Sequence, residues 1–511
     1  MRASFGLPLP PPMRPLLLVL LFLPAAASAQ SAPTSARAVM SAAAAAGATA
    51  DPTAREAAVE ALWTSLRAGQ AASRVPFVAA DSAVFLWRGS AATVSVAGDH
   101  TGWQTNRAPL VRQGQSDLWL RLDRFDPAAR IDYKIVVGGS NWILDPANPN
   151  RQASGFGPNS ELRMPGWAAE PLTVRDAATP RGTLGPAVTL ASTRYTTAPV
   201  TVRVWTPAGY DAGTDRLPVV YVTDGHEYAD DALGAVTIVL DNLVAARRIE
   251  PVIAVFIDPR AGGQNRRQEQ YVTNPAFAAF VATELVPRVD RDYRTRPDRA
   301  SRAILGTSLG GLFSAYLGTA HPDTFGLLGI HSPAFQASET VYTLVDLAPA
   351  GAFRVAMTTG TINDTQAAAQ RMRTVMTARG HAVTYREVPE GHSWGNWRAL
   401  VDDVLVPFFP PRPATDTGAT APVETGLRLD AVPNPTNAAG AQLRLTLGAS
   451  APARLACFDA QGRTVATLAD VAATAGQTDI PLGDWHFAPG VYACRVTSGS
   501  VAATETLTVL P

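Results

Sequence analysis

The stretch Arg302-Ala303-Ile304-Leu305-Gly306-Thr307-Ser308-Leu309-Gly310-Gly311-Leu312-Phe313 decides how this chain folds. The apolar run before Gly306 predicts a buried strand, and the apolar spacing after Gly311 predicts a helix packed on a sheet. Glycines on both sides of Ser308 let its backbone adopt a strained conformation that exposes the hydroxyl. The start of the helix then offers backbone N–H groups to a developing oxyanion. We therefore take Ser308 as a candidate nucleophile, with a plain glycine-rich turn as the alternative.

The composition is that of a globular protein with several domains. The chain has 511 residues, of which 47% are hydrophobic and 7% aromatic, so about two to four domains are expected. Its formal net charge of +0 gives no indication of binding to nucleic acid or to an anionic membrane surface. Lys134 is the single lysine among 43 basic residues.

The first 29 residues have the pattern of a secretory signal peptide. Arg2 and Arg14 precede the apolar run Leu16–Leu23, and Ala27-Ser28-Ala29 gives a cleavage site before Gln30. The apolar run is too short to span a bilayer comfortably. We expect the mature protein to be secreted or held at the cell surface.

The cysteine pattern excludes some chemistries for most of the chain. Cys457 and Cys494 are the only cysteines. A disulfide between them fits an exported protein, but buried free thiols are an equally good interpretation. Because no cysteine lies upstream, thiol catalysis and cysteine-rich metal sites are excluded for the main body.

The part of the chain before residue 185 contains a helical leader and a β-rich domain. Residues 30–74 are rich in alanine, and an Asp51-Pro52-Thr53 start predicts one helix that runs to about Leu66. Residues 75–168 have short strand patterns separated by turn clusters, which is typical of a small sandwich. The predicted strands are Ala83–Trp87, Thr93–Val96, Leu118–Leu122 and Tyr133–Val137.

Residues 185–410 alternate between strand and helix patterns, which predicts a mainly parallel α/β sheet. The number and order of these elements match an α/β-hydrolase core. The predicted strands are Val200–Trp205, Pro218–Val222, Val252–Ile257, Ala303–Leu305, Gly326–Ile330, Phe353–Met357 and Val383–Val388, and the predicted helices cover 230–247, 275–290, 309–320, 364–379 and 395–405. Residues 411–425 have the composition of a linker, and 426–511 read as a second small β-domain.

A nucleophilic serine needs a base, and the base needs an orienting acid. In the α/β-hydrolase order the acid and then the histidine follow the serine. His392 follows the last predicted strand, Val383–Val388. Asp364 is the carboxylate in the loop that follows the preceding predicted strand, Phe353–Met357. Helix capping is the alternative role for Asp364. Glu390 is the second candidate for the acid.

The oxyanion hole needs two converging N–H donors. We expect one from the backbone of Leu309, and the other from Gly225 or His226 in the loop after the Pro218–Val222 strand. Gly225 lets the backbone approach a ligand closely. Asp224 and His226 precede Ser308 in the chain, so their side chains are interpreted as shaping the loop and the rim of the site.

Four blocks of this region resemble the esterase D-like family, which includes enterochelin, feruloyl and acetylxylan esterases and mycolyltransferases. The blocks are Tyr221–Gly225, Arg266–Glu269, Gly306–Gly311 and Glu390–Arg398. The resemblance implies that Ser308, Asp364 and His392 form a catalytic triad. It also matches Arg267 and Glu269 to a substrate-pocket pair, although a surface ion pair explains them equally well.

The N-terminal β-rich domain has a resemblance of its own. Ala97–Trp103 and Asn141–Pro146 resemble the immunoglobulin-like, starch-binding-type module that precedes some esterases. Arg163–Trp167 is similar to the segment with which the chain leaves the N-terminal domain of enterochelin esterases. Trp103 or Trp142 could stack on sugar rings, with core packing as the alternative.

The C-terminal domain resembles the sorting domain of type IX secretion substrates. The similarity rests on Val432-Pro433-Asn434-Pro435, on Cys457–Val465 with its "D-x-x-G-R" turn, and on Pro489–Tyr492. The resemblance implies export across an outer membrane and names the type IX secretion machinery as a partner. An ordinary terminal β-sandwich is the alternative.

Taken together, the sequence predicts a secreted serine carboxylic-ester hydrolase that needs no metal or organic cofactor. The expected substrates are enterochelin-like lactones or feruloyl and acetyl esters of polysaccharides. Trp394 and Trp397 could stack on a catechol or feruloyl ring or belong to the core. An acyltransferase of the mycolyltransferase type and an inactive glycan-binding surface protein are the alternatives.

Overall fold

The computed structural model describes residues 32–67, 74–411, 428–432, 442–447, 451–459, 464–473, 476–481, 487–498 and 501–509. The chain divides into two units, Met1–Arg412 and Pro413–Pro511. The predicted signal peptide, residues 1–29, and all but the first residue of the predicted linker, 411–425, lie outside the described residues.

Two helices, α1 (Ala36–Ala48) and α2 (Pro52–Arg67), open the first unit. The hydroxyl of Ser35 and the carboxylate of Asp51 accept hydrogen bonds from backbone N–H groups of the first turns, which satisfies donors that lack helical partners. The predicted helix corresponds to α2. That prediction is confirmed, whereas α1 was not predicted from the sequence.

The next region is built from two antiparallel sheets with apolar side chains between them. One sheet has the order β1-β2-β5-β4, and the other has the order β3-β6-β9-β8 with β7 on β6. The shared core includes Phe85, Trp87, Ile131 and Tyr133, and α1 and α2 pack on the first sheet. The strands are β1 (Phe77–Ala79), β2 (Ser82–Arg88), β3 (Val94–Gly98), β4 (Val111–Arg112), β5 (Leu118–Arg124), β6 (Arg130–Val137), β7 (Asn141–Ile143), β8 (Arg151–Gln152) and β9 (Asn159–Arg163).

The following sheet has the order β10-β12-β14-β13-β17-β18-β19-β20, with β11 also paired to β12. The pairs from β14 through β20 are parallel, whereas β12 runs antiparallel to β14. The mainly parallel α/β sheet is therefore as predicted, and β10 and β11 are additional edge strands. The strands are β10 (Thr183–Leu184), β11 (Val188–Leu190), β12 (Val200–Thr206), β13 (Val219–Val222), β14 (Ile253–Asp258), β17 (Arg302–Thr307), β18 (Leu327–His331), β19 (Arg354–Gly360) and β20 (Ala382–Val388). Between β14 and β17 in the chain, β15 (Arg260–Ala261) and β16 (Gln264–Asn265) pair with each other as a separate two-stranded sheet.

Helices cover both faces of this sheet, so its strands alternate between two apolar cores. Val219 and Tyr221 belong to one core, and Val220 and Val222 to the other, as expected for strands buried on both faces. The helices are α3 (Gly225–Tyr228), α4 (Val236–Ala245), α5 (Arg267–Tyr271), α6 (Pro275–Phe280), α7 (Val286–Asp292), α8 (Leu309–Ala320), α9 (Thr340–Leu347), α10 (Gln366–Ala378), α11 (Trp394–Ala399) and α12 (Val401–Phe408). Within the described ranges, no helix is both long enough and apolar enough to cross a bilayer.

The C-terminal unit also contains two antiparallel sheets, with the orders β21-β22-β25 and β24-β23-β26-β27. Its strands are β21 (Arg428–Val432), β22 (Gln442–Leu447), β23 (Ala451–Phe458), β24 (Thr464–Ala473), β25 (Gly476–Pro481), β26 (Gly490–Ser498) and β27 (Val501–Val509). Cys457 and Cys494 are cross-strand neighbours on β23 and β26 and form a disulfide. The alternative of two free thiols is therefore wrong. The motif residues 433–435 and 462–463 lie outside the described residues.

The disulfide closes a chain segment with a sequence separation of 37 residues. Removing it restores conformational freedom to the unfolded C-terminal unit. We expect the Cys457→Ala/Cys494→Ala variant to lose about 2–5 kcal/mol of unfolding free energy in this unit. Calorimetry of the oxidised protein, the reduced protein and the variant measures this effect. An unfolding transition that is the same in all three samples would contradict it.

Candidate active site

Ser308 lies on a sharp turn between β17 and α8. Its backbone has φ 57° and ψ −117°, a conformation that side-chain-bearing residues rarely adopt. Its N–H donates to the carbonyl of His331, and its own carbonyl accepts from the N–H of Ala334, both at 2.9 Å. A Cβ on Gly306 would collide with the carbonyl oxygen of Gly310, so the turn requires a glycine there.

The structure brings the three predicted triad side chains together at the carboxyl edge of the sheet. Nε2 of His392 lies 3.0 Å from Oγ of Ser308, and Nδ1 lies 2.7 Å from Oδ1 of Asp364. The serine follows β17, the aspartate follows β19, and the histidine follows β20. Both distances are in the range of hydrogen bonds, so the imidazole can take a proton from the hydroxyl while the carboxylate orients it.

The side chain of Asp364 is fully buried. Its Oδ2 accepts from the N–H of Gly360 and from the hydroxyl of Ser332, both at 2.6 Å. Burial acts to raise the pKa of Asp364, but the hydrogen bonds from His392, Ser332 and Gly360 together hold this pKa below its ordinary value. The N-cap residue of α10 is Thr365, so Asp364 faces the imidazole instead of capping this helix.

Glu390, the second candidate for the acid, has other partners. Its Oε1 accepts from Nε1 of Trp167 at 3.1 Å, and its Oε2 lies 3.5 Å from Nη1 of Arg130. Among the described contacts, none joins Glu390 to His392. The geometry therefore favours Asp364 over Glu390 as the orienting acid.

Ser332 is a site residue that the sequence reasoning missed. It directly follows β18, has a φ of 40°, and is fully buried. Its hydroxyl donates to Asp364 and accepts from Nε1 of Trp397 at 2.9 Å. A polar residue directly after the strand next to β17 is the signal that could have indicated it.

Trp394 and Trp397 are buried, with 4% and 7% of their surface exposed. Their rings pack edge to face with a centroid distance of 5.1 Å, and Trp397 meets the ring of His392 in the same way at 4.9 Å. Both belong to one of the two sheet cores. The structure thus favours the core interpretation, with one edge of each indole in the wall of the site.

The predicted oxyanion donors occupy two different loops. Leu309 begins α8 directly after Ser308, and Gly225 begins α3. A Cβ on Gly225 would collide with the backbone of Phe256, so packing on β14 also requires a glycine at this position. Nδ1 of His226 lies 3.4 Å from Asp258. The assignment of a backbone N–H of Gly225 or His226 as the second donor stays a prediction.

Arg267 and Glu269 do not pair with each other. Arg267 forms two hydrogen bonds with the buried carboxylate of Asp224, at 2.6 and 3.0 Å, and lines the cavity above Ser308. Glu269 instead binds Arg266 at 2.9 Å and accepts from the hydroxyl of Tyr195 at 2.7 Å. Residues two apart in a helix face different sides, so α5 directs the two side chains to different partners. The alternative of an ion pair between them is therefore wrong, and a role of either residue in substrate binding stays a prediction.

Ser308 lines a cavity of about 680 Å³. Residues of the sandwich and of the α/β domain together form its wall. The sandwich contributes Trp103, Trp142 and Lys134. The two indoles stack with a centroid distance of 6.4 Å, and Trp142 is 41% exposed. These tryptophans therefore form part of the site wall, and the core interpretation of Trp142 is wrong.

Two charged side chains of this cavity, Lys134 and Glu227, have no hydrogen-bond or ion-pair partner among the described residues. Burial and then the nearby carboxylate of Asp224 raise the pKa of Glu227 to about 7. A substrate can therefore meet the amino group of Lys134 and a carboxyl group that is partly protonated near neutral pH, in a cavity with aromatic walls.

Residues 193–406 match the family model described as "Putative esterase". This segment is similar to members of that family. The family match supports carboxylic ester hydrolysis as its chemistry.

Two curated relatives match part of this chain. The endo-1,4-beta-xylanase/feruloyl esterase of Xylanibacter ruminicola is 28% identical over 139 residues, which are 26% of this chain and 19% of that protein. The iron(III) salmochelin esterase of Escherichia coli O6:H1 is 29% identical over 212 residues, which are 37% of this chain and 50% of that protein. The chain thus spans at most half the length of either relative.

Among solved structures, the enterobactin esterase from Shigella flexneri, crystallised in the presence of enterobactin, aligns with a TM-score of 0.54. It is 21% identical, and the alignment covers 64% of this chain and 92% of that one. This likeness shows that the two proteins share a fold.

The lowered pKa of Asp364 predicts how stability depends on pH. A carboxyl group with a lowered pKa in the folded state stabilises the fold above its unfolded pKa of about 4, and the contribution is lost as pH falls through the folded value. We expect Asp364→Asn to unfold at a lower temperature than the unmodified protein at about pH 7, and the gap to narrow toward about pH 3. Thermal denaturation across this range measures both.

The control for this prediction is Asp215→Asn, which changes an exposed aspartate. Its unfolding temperature should follow that of the unmodified protein at each pH. A gap between Asp364→Asn and the unmodified protein that stays constant across the range would contradict the lowered pKa.

Proposed function

We propose that this protein is a secreted serine carboxylic-ester hydrolase that acts through Ser308, His392 and Asp364. The observation that carries the proposal is the 3.0 Å contact between Nε2 of His392 and Oγ of Ser308. The 2.7 Å contact between Nδ1 of the same ring and Asp364 supports it, because a base must be held in one orientation to accept a proton from a neighbouring hydroxyl.

The proposed reaction has two steps with an acyl-enzyme between them. His392 accepts the proton of Ser308 as Oγ attacks the ester carbonyl carbon, and it then gives this proton to the departing alcohol. Water attacks the acyl-enzyme with His392 again as base, which releases the acid and restores the serine. The N–H of Leu309 and that of Gly225 or His226 bind the oxyanion.

The proposed substrates are enterochelin-like lactones or feruloyl esters, with acetylated polysaccharide as the less favoured option. Both favoured classes contain an aromatic ring, and the exposed face of Trp142 offers a stacking surface in the cavity. The salmochelin and feruloyl esterase names of the two curated relatives support the same choice. Turnover of methyl ferulate, acetylated xylan and a catecholate lactone would separate these substrates.

Secretion is the second part of the proposal. It rests on the signal pattern in residues 1–29 and on the resemblance of residues 426–511 to a type IX sorting domain. The disulfide between Cys457 and Cys494 supports it, because such bridges persist in oxidising compartments.

Ser308→Ala tests the nucleophile. We expect this variant to lose at least about 10³-fold in kcat on p-nitrophenyl acetate, since the attacking atom is removed. Its unfolding temperature should stay close to that of the unmodified protein. Ser314→Ala, which changes a buried serine of α8 that bonds the carbonyl of Gly310, serves as the control and should keep its activity. Comparable turnover by Ser308→Ala would refute the serine mechanism.

Trp142→Ala tests the aromatic wall. We expect KM for methyl ferulate to rise about 3–10-fold, which corresponds to the loss of one aromatic contact, while kinetics on an aliphatic acetate ester stay unchanged. Trp63→Ala is the matched control, because this partly buried indole lies on α2 and packs against a different core. An equal effect of Trp142→Ala on both esters would contradict ring stacking.

A further inference from the structure

Arg130 joins the sandwich to the loop that carries His392. It begins β6, and its side chain is completely buried. Its Nη1 donates to Oγ of Ser393 at 3.1 Å and lies 3.5 Å from Oε2 of Glu390. Its backbone N–H donates to the carbonyl of Pro389 at 3.2 Å. Arg130 of the sandwich therefore contacts the loop that carries His392 both before and after this histidine.

The guanidinium is itself fixed from inside the sandwich. Nη2 donates to Asp132 at 2.6 Å, and Nε donates to Glu161. A Cβ on Gly395 would collide with Cζ of Arg130, so the first turn of α11 lies directly against the charged group. The planar guanidinium group suits this arrangement, because its several N–H donors can form hydrogen bonds with both domains at once.

Asp99 of the sandwich makes a second set of contacts with the catalytic loops. A Cβ on Gly391 would collide with the carboxyl group of Asp99, so the residue before His392 lies against it. The backbone carbonyl of Asp99 accepts from Nδ2 of Asn363 at 2.9 Å. The loops that carry the base and the acid therefore meet the same short segment of the sandwich.

We propose that the sandwich is a positioning element of the hydrolase site, with Arg130 as the positioning residue that holds the His392 loop within reach of Ser308. This inference rests on the proposed function. The imidazole is 35% exposed, so its position depends on the backbone on either side of it as well as on its contacts with Asp364 and Trp397. A displacement of about 1 Å is enough to reduce proton transfer strongly.

Two variants test this proposal. Arg130→Lys keeps a charge among the carboxylates but cannot donate to Ser393 and Glu161 at the same time. Ser393→Ala removes one contact of Arg130 and leaves every charge in place. We expect kcat on p-nitrophenyl acetate to fall at least about 10-fold in the first and about 3–10-fold in the second, with KM within about 2-fold. The rate at which a fluorophosphonate labels Ser308 should fall by the same factors.

Arg88→Lys is the matched control. Arg88 also lies in the sandwich and binds three carboxylates, those of Glu56, Glu60 and Asp117, but none of them belongs to a catalytic loop. It should lose stability and keep its kcat. Wild-type kcat and labelling rates in Arg130→Lys and Ser393→Ala would overturn the positioning role, as would an equal loss in Arg88→Lys.

A spectroscopic measurement separates this inference from the proposed function. The proton between Nδ1 of His392 and Asp364 should give a downfield proton resonance that is absent in Asp364→Asn. We expect it to broaden or shift in Arg130→Lys and Ser393→Ala and to persist in Arg88→Lys. An unmodified protein that is not labelled at Ser308 would refute the hydrolase, and an unchanged resonance in both test variants would refute the positioning.

Discussion

The backbone conformation of Ser308 is the constraint on which the rest of the site depends. A residue with a side chain at positive φ costs about 1–3 kcal/mol, so the surrounding structure has to enforce it. Two hydrogen bonds fix the turn to the end of β18, and the close contact between Gly306 and Gly310 excludes any side chain between strand and helix. The hydroxyl therefore stands clear of the sheet, where the loops after β19 and β20 can reach it.

Much of this site could be predicted from the sequence, because the signals that indicate it lie in short segments of the chain and in the order of the strands. Ser308 is surrounded by its own strand, glycines and helix, and the order of acid and base follows from the succession of strands in a parallel sheet. The carboxyl ends of such strands meet at one edge, which is why Asp364 and His392 could be named without coordinates. The strands of the α/β sheet were predictable for the same reason, since their apolar runs are continuous.

The residues that sequence reasoning missed depend on contacts between distant segments. Ser332 forms hydrogen bonds with Trp397 and Asp364, which follow it in the chain by 65 and 32 residues. The partner of Arg267 is Asp224, 43 residues away, and not the nearby Glu269. No local pattern encodes such pairs. Arg130 is the strongest case, because an arginine at the start of a sandwich strand gives no sign that it ends beside Ser393, 263 residues later.

The position of Lys134 has a practical consequence. It is the single lysine of the chain, and it lies in the wall of the cavity that contains Ser308. Arginine guanidinium groups stay protonated and do not compete for acylating reagents. Apart from an N-terminal amine, an amine-selective dye therefore has one attachment point among these 511 residues. Native protein can thus carry a fluorescent reporter of ligand entry without any engineered cysteine.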